Sequence, residues 1–77
     1  MIFKYIIVEN FEKPILFSLH KWSHKEAMPF NEKIKSAGFC SIKYCDNILK
    51  IVCYGKSETL DIISNPIEDE LIIRNAL

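Results

Sequence analysis

Residues 37–55, Ala37-Gly38-Phe39-Cys40-Ser41-Ile42-Lys43-Tyr44-Cys45-Asp46-Asn47-Ile48-Leu49-Lys50-Ile51-Val52-Cys53-Tyr54-Gly55, decide the fold. Two runs rich in β-branched and aromatic residues flank the polar pair Asp46-Asn47. Asp and Asn tolerate the positive φ of a type I′ turn, so the stretch reads as a hairpin with a two-residue loop. That loop sets the register: Cys45 opposite Ile48, Tyr44 opposite Leu49, Lys43 opposite Lys50, Ile42 opposite Ile51, Ser41 opposite Val52 and Cys40 opposite Cys53. Side chains alternate between the two faces of a strand. One face then carries Cys40, Ile42, Tyr44, Leu49, Ile51 and Cys53 and is the expected core face. The other carries Phe39, Ser41, Lys43, Lys50, Val52 and Tyr54 and is mixed. A slip of one residue would destroy this sorting. A longer loop that includes Ile48 is the alternative reading of the turn.

A chain of 77 residues is one domain with a modest core. Hydrophobic residues make up 49% and charged residues 26%, ordinary for a globular protein, so disorder is not expected. The formal net charge is zero. Without a basic excess to neutralise phosphates, a dedicated nucleic-acid binder is disfavoured, and without an acidic excess so is a DNA mimic. No apolar run is long enough to span a membrane. Met1-Ile2-Phe3-Lys4-Tyr5 lacks the long apolar core of a signal peptide, which makes the cytoplasm the expected location. Cys40, Cys45 and Cys53 are an odd set, expected as free thiols in a reducing compartment. A strained cross-strand disulfide between Cys40 and Cys53 is the alternative.

Ahead of the hairpin, residues 2–9 read as a strand. Its run Tyr5-Ile6-Ile7-Val8 is apolar on both sides, as in a central strand covered on both faces. Asn10-Phe11-Glu12-Lys13 is a turn candidate, and Pro14 opens the apolar run Ile15-Leu16-Phe17, so residues 2–18 form a first hairpin. Ser23-His24-Lys25-Glu26 fits a capping box, and Pro29 stops whatever helix starts there. Asn31 to Ser36 is a polar lead into the central hairpin, in which Gly38 marks a bulge or a close backbone approach.

After Gly55, residues 57–63 alternate and read as a further strand of the sheet, with a short helix as the alternative. Ser64-Asn65-Pro66-Ile67-Glu68-Asp69-Glu70 is the clearest helix start: a capping residue, proline in the first turn and acids at the positive end of the dipole. The helix should run from Pro66 to Asn75, with Ile67, Leu71 and Ile72 pressed on the sheet and Arg74 at the negative pole. The fold class is therefore α+β: an antiparallel sheet of about five strands in the order β-β-(short α)-β-β-β-α, with the C-terminal helix packed on one face.

Few residues carry recognisable chemistry. His20 and His24 are four apart, a spacing that suits a metal on a helix, with Cys45 as a third ligand or as a nucleophile beside a histidine base. No helix is predicted across that pair and no CxxC accompanies it, so surface histidines are the plainer reading. Gly55-Lys56-Ser57 resembles the end of a P-loop, but Lys50 stands where that motif needs glycine. Nothing recognisable supplies an oxyanion hole, so no enzyme activity, metal or cofactor is expected. Glu68, Asp69 and Glu70 serve either as a docking patch for a basic partner or as dipole and capping chemistry. Lys43 and Lys50, opposite each other on the outer face, repel unless an acid separates them or an anionic partner meets them. Trp22, Phe11 and Phe30 in connecting segments either cap the core or anchor an interface.

Ser36-Ala37-Gly38-Phe39, then Gly55-Lys56-Ser57-Glu58-Thr59-Leu60, then Ser64 and a terminal helix with Asp69, is similar to small uncharacterised proteins encoded by phages and prophages. Tyr5-Ile6-Ile7-Val8-Glu9 followed by Pro14-Ile15-Leu16-Phe17 shares the pattern. The resemblance lends no catalytic residues. It implies a small accessory protein that binds a host or defence protein inside a bacterium, anti-CRISPR inhibitors among them. The expectation is a non-enzymatic protein-binding module using Lys43, Lys50, Trp22, Glu68, Asp69 and Glu70. The alternative is a small-ligand or metal binder, or minor enzyme, using His20, His24 and Cys45. Homodimerisation through Val52, Tyr54 and Phe39 is a third expectation, because few helices are available to cover both faces of the sheet.

Overall fold

The computed structural model describes residues 1–11, 13–27 and 32–77. The turn read through Glu12, the stop assigned to Pro29, the aromatic Phe30 and the start of the polar lead at Asn31 lie outside the described residues. The elements are β1 (Ile2–Val8), β2 (Ile15–Ser18), α1 (His24–Ala27), β3 (Ile34–Cys45), β4 (Ile48–Tyr54), β5 (Lys56–Ser57), β6 (Ile62–Ile63) and α2 (Pro66–Ala76). The first four strands make one antiparallel sheet in the order β2-β1-β3-β4, and β5 pairs with β6 in a separate ribbon. The fold is α+β, with α2 packed against the sheet.

The central hairpin has the register that its turn demands, from Cys45 opposite Ile48 to Cys40 opposite Cys53. Asp46 and Asn47 both take positive φ, 52° and 67°, as a type I′ turn requires. Cys40, Ile51 and Cys53 are buried on the core face, and Ile42 and Leu49 pack at its margin. Tyr44 shares that face yet is 75% exposed. The helix has reached its last turn at this level, where Arg74 Nη1 donates to the Leu49 carbonyl at 2.8 Å. The hairpin tip therefore runs past the helix that covers its base.

Strand β1 is central, paired to β2 on one side and β3 on the other. Tyr5 and Ile7 point into the core under α2, whereas Ile6 and Val8 point into a second core with Ala37, Leu60 and Ile62. A bulge opposite Ile7 and Val8 absorbs Lys35, which lies between the partners Ile34 and Ser36. Gly38 is a close approach: a Cβ there would sit 2.6 Å from the Tyr54 carbonyl oxygen.

Residues 57–63 do not extend the main sheet as the alternation suggested. Gly55 turns the chain out of β4 at φ 76°, and Asp61 adopts φ 54°. Between them the buried Ser57 Oγ accepts the Leu60 amide at 3.1 Å. That side-chain bond favours a turn over a continuing ladder. The alternating run is thus cut into two short strands, and the ribbon folds over β3, delivering Leu60 and Ile62 to the second core.

The C-terminal helix forms over Pro66–Ala76 but turns a different face inward from the one expected. Ile67 is 86% exposed and Leu71 is exposed as well, while Asp69 and Ile73, four apart, are buried, with Ile72 beside them. Asp69 takes the inward position because donors await it. Its carboxylate accepts from Tyr5 Oη at 2.5 Å, Ser36 Oγ at 2.6 Å and the Asn65 amide at 2.8 Å. Burial, with the Asp69 carboxylate adding to it, holds the Tyr5 phenol well above its ordinary range, so it remains a donor.

Tyr5→Phe removes one bond to a charged acceptor and is expected to destabilise by roughly 1.5–3 kcal/mol, and Asp69→Ala by more because it strands three buried or half-buried donors. Urea midpoints at constant slope measure both. An unchanged midpoint for Tyr5→Phe would show that this contact does not hold the helix down.

Candidate functional site

The two faces of the sheet are covered unequally. One lies under α2. Over the other, among the described residues, α1 and the β5–β6 ribbon reach only part of the surface. The register places Ile2, Ser41 and Val52 in one row across the uncovered part, with Lys43 and Lys50 in the next row toward the tip and Phe39 and Tyr54 in the row behind. Ile2 is 47%, Val52 51% and Tyr54 41% exposed. Phe39 is only partly exposed, because it is sandwiched: its ring stacks on Tyr54 at 5.8 Å and meets the His24 ring edge-on at 5.7 Å.

Helix α1 closes one flank of this surface. Its capping box is reciprocal: Ser23 Oγ accepts the Glu26 amide at 3.1 Å, and Glu26 Oε1 accepts the Ser23 amide at 2.9 Å. This single turn places His24 beneath it, almost wholly buried between Phe17 and Phe39. His24 Nε2 donates to the Gly38 carbonyl at 2.8 Å. Burial lowers the imidazole below its ordinary value, the Gly38 bond works against that, and the nearby Lys4 ammonium adds to it. Lys4 Nζ in turn donates to the Trp22 carbonyl at 2.9 Å, so Trp22, half-exposed, lies over the same side of the sheet.

A cleft of about 440 Å³ opens between α1 and the turn of the ribbon, with Lys4, His24, Phe39, Lys56, Glu58 and Thr59 among its walls. Lys4, Lys43, Lys50 and Lys56 thus share one side of the molecule. The ion pairs among the described residues, Lys33–Glu9 and Lys35–Glu68, involve none of them. This side thus carries four lysines beside aromatic side chains, with Glu26 and Glu58 near Lys4 and Lys56.

The acids at the start of α2 all have partners within the fold. Glu68 pairs with Lys35 and accepts the Asn65 side-chain amide, Asp69 is enclosed, and Glu70 Oε1 accepts the Cys53 amide at 3.0 Å. Glu70 and Arg74 thereby satisfy outward-facing backbone groups of β4, one toward each end of the edge strand. Such side-chain caps obstruct the addition of a foreign strand.

His20, His24 and Cys45 are not brought together. His20 is exposed beside a groove lined by Met1, Ile2 and Leu16, His24 is enclosed, and Cys45 sits at the hairpin tip. Among the described residues no three His, Cys, Asp or Glu side chains are grouped to hold a metal. Burial pushes the Cys40 thiol up to about 11 and Cys53 to about 12, which keeps both protonated and poorly nucleophilic at neutral pH. All three cysteines are free thiols. No helix among the described residues is long and apolar enough to cross a membrane.

The opposed pair Lys43 and Lys50 could be read from the hairpin register alone. The parts played by Lys4 and Lys56 could not, although a lysine inside the apolar run Ile2–Val8 was itself a signal. No protein-family model matches the chain, and no curated protein or solved structure matches it significantly.

The lowered His24 value gives a signed pH dependence. The fold favours the neutral ring, whereas the unfolded ring titrates near its ordinary value of about 6.5. The stability this contributes is complete above about pH 6.5 and is lost as pH falls through the lowered value. Urea midpoints measured from about pH 7 down to about pH 5 should fall, and fall less steeply in His24→Gln. Parallel slopes in the two proteins would show that His24 is not held neutral.

Proposed function

We propose that this chain is a non-enzymatic protein-binding module whose docking surface is the uncovered part of the sheet around Lys43, Lys50, Val52, Tyr54 and Trp22. The observation that carries this is the lysine pair: two ammonium groups directly opposite each other, exposed, beside a row of exposed apolar side chains. Like charges so placed repel mildly, by about 0.2–1 kcal/mol. An acidic partner surface would offset that repulsion, and the aromatic and aliphatic residues beside it would supply the buried anchor of an interface.

The partner so described is a protein with an acidic, partly apolar patch. A dimer of this chain through the same face would gather the lysine pairs of both copies, which disfavours it. Strand addition at β4 is disfavoured by the Glu70 and Arg74 caps. The resemblance to phage and prophage accessory proteins directs the reading to a bacterial host or defence protein, and to inhibition as the outcome of binding.

The test combines capture with charge reversal. Tagged protein is used to retain partners from bacterial lysates carrying defence systems, and each retained partner is re-tested against the variants. Lys43→Glu should stabilise the fold by about 0.2–1 kcal/mol, since it converts a repulsive pair into an attractive one, while weakening partner binding. Lys43→Glu/Lys50→Glu should abolish capture with a near-normal urea midpoint, and wild-type binding should weaken as salt is raised. A partner retained equally by wild type and double variant would overturn this surface. Retention of nucleic acid in place of protein would overturn the partner class.

A further inference from the structure

We infer that the cleft between α1 and the ribbon turn is a binding site for a small organic oxyanion, a phosphate or carboxylate carried on a planar apolar body. Its volume, about 440 Å³, lies within the range of small-molecule pockets, roughly 300–1,000 Å³. The site is separate from the lysine pair of the hairpin and does not depend on the protein-binding reading.

The walls divide by chemistry. Two ammonium groups, Lys4 and Lys56, and one carboxylate, Glu58, line the cleft, and a second carboxylate, Glu26, bonded to the Ser23 amide at its rim, lies within Coulombic reach of Lys4. Lys4 arises from the middle of the central strand and is held in place: one of its N–H groups is spent on the Trp22 carbonyl, which leaves two to donate. A lysine whose stem is packed and whose head is pre-oriented loses little freedom on binding an anion. Phe39 offers an apolar wall, itself braced by Tyr54 and His24.

His24 adds a second polar element. It is only 4% exposed, yet lines the cleft. Its Nε2 faces a carbonyl, which can only accept, so Nε2 carries the proton of a neutral ring and Nδ1 is left with a lone pair. A ligand that brings a hydroxyl or protonated oxygen to that lone pair and an oxyanion to Lys4 and Lys56 would use each kind of group the cleft presents. Thr59 stands at the same wall, its Oγ1 accepting the Lys25 amide at 3.2 Å and sharing a hydrogen bond with the Ser57 hydroxyl at 3.4 Å.

Two probes separate the sources of the oxyanion: inorganic phosphate and benzoate, each titrated into ¹⁵N-labelled protein at constant ionic strength, with sodium chloride as the control. Saturable shifts confined to His24, Phe39, Gly55 and Thr59 are expected with at least one probe. Phosphate alone would identify the phosphate form of the ligand, and benzoate the aromatic carboxylate form. Lys56→Ala, an exposed position outside the core, should weaken the effective probe at least tenfold with no change in urea midpoint. Lys4→Met, which keeps the packed stem, should weaken the effective probe by a similar factor. Lys43→Glu/Lys50→Glu should leave the titration unchanged, which separates this site from the docking surface. Absence of saturable shifts with both probes would overturn the inference. So would shifts that survive Lys56→Ala, or shifts spread over Val52 and the hairpin tip.

Discussion

The fold depends on one buried carboxylate. Asp69 is fully enclosed, and removing a charge from water costs several kcal/mol unless its hydrogen bonds are replaced. Here they are replaced from three places in the chain: the Tyr5 phenol on β1, the Ser36 hydroxyl on β3 and the Asn65 amide at the start of α2. Apolar contact alone would let α2 rotate, since Ile67, Leu71, Ile72 and Ile73 offer apolar surface on more than one side. Only one rotation satisfies the carboxylate. It buries Ile73 beside Asp69 and leaves Ile67 and Leu71 outside.

That rotation has further consequences along the helix. With Asp69 inward, Glu70 and Arg74 fall over β4, where they bond the Cys53 amide and the Leu49 carbonyl. The long edge strand is thereby capped by its own helix. The three acids that open α2 are all engaged within the fold. The other side of the sheet keeps Lys4, Lys43, Lys50 and Lys56 without ion pairs among the described residues.

The incomplete cover of the second face follows from the size of what is available. One helical turn and a ribbon of two short strands bury Ile6, Val8 and Ala37 but do not reach Ile2, Val52 or Tyr54. The cleft forms at the margin of that cover, where the capping box of α1 and the turn of the ribbon stand apart over Phe39. Among the described residues, the docking surface and the ligand cleft thus both lie where α1 and the ribbon stop short.

The sequence by itself determined what is local. Asp46-Asn47 set the turn and with it every pair of the central hairpin, the apolar run Tyr5–Val8 marked the central strand, and Ser23 with Glu26 wrote the capping box of α1. The opposed lysines follow from that register, so half of the candidate surface was legible as well. Tertiary structure alone decided the rest. Residues 57–63 alternate like a strand, but the Ser57 side chain and the left-handed Asp61 turn them, a competition periodicity does not record. The acids of α2 look like a surface cluster because nothing near them in sequence shows that Tyr5 and Ser36 wait at the other end of the chain. Lys4, His24 and Lys56 meet at one cleft for the same reason: side chains far apart in sequence are neighbours only after the sheet has closed.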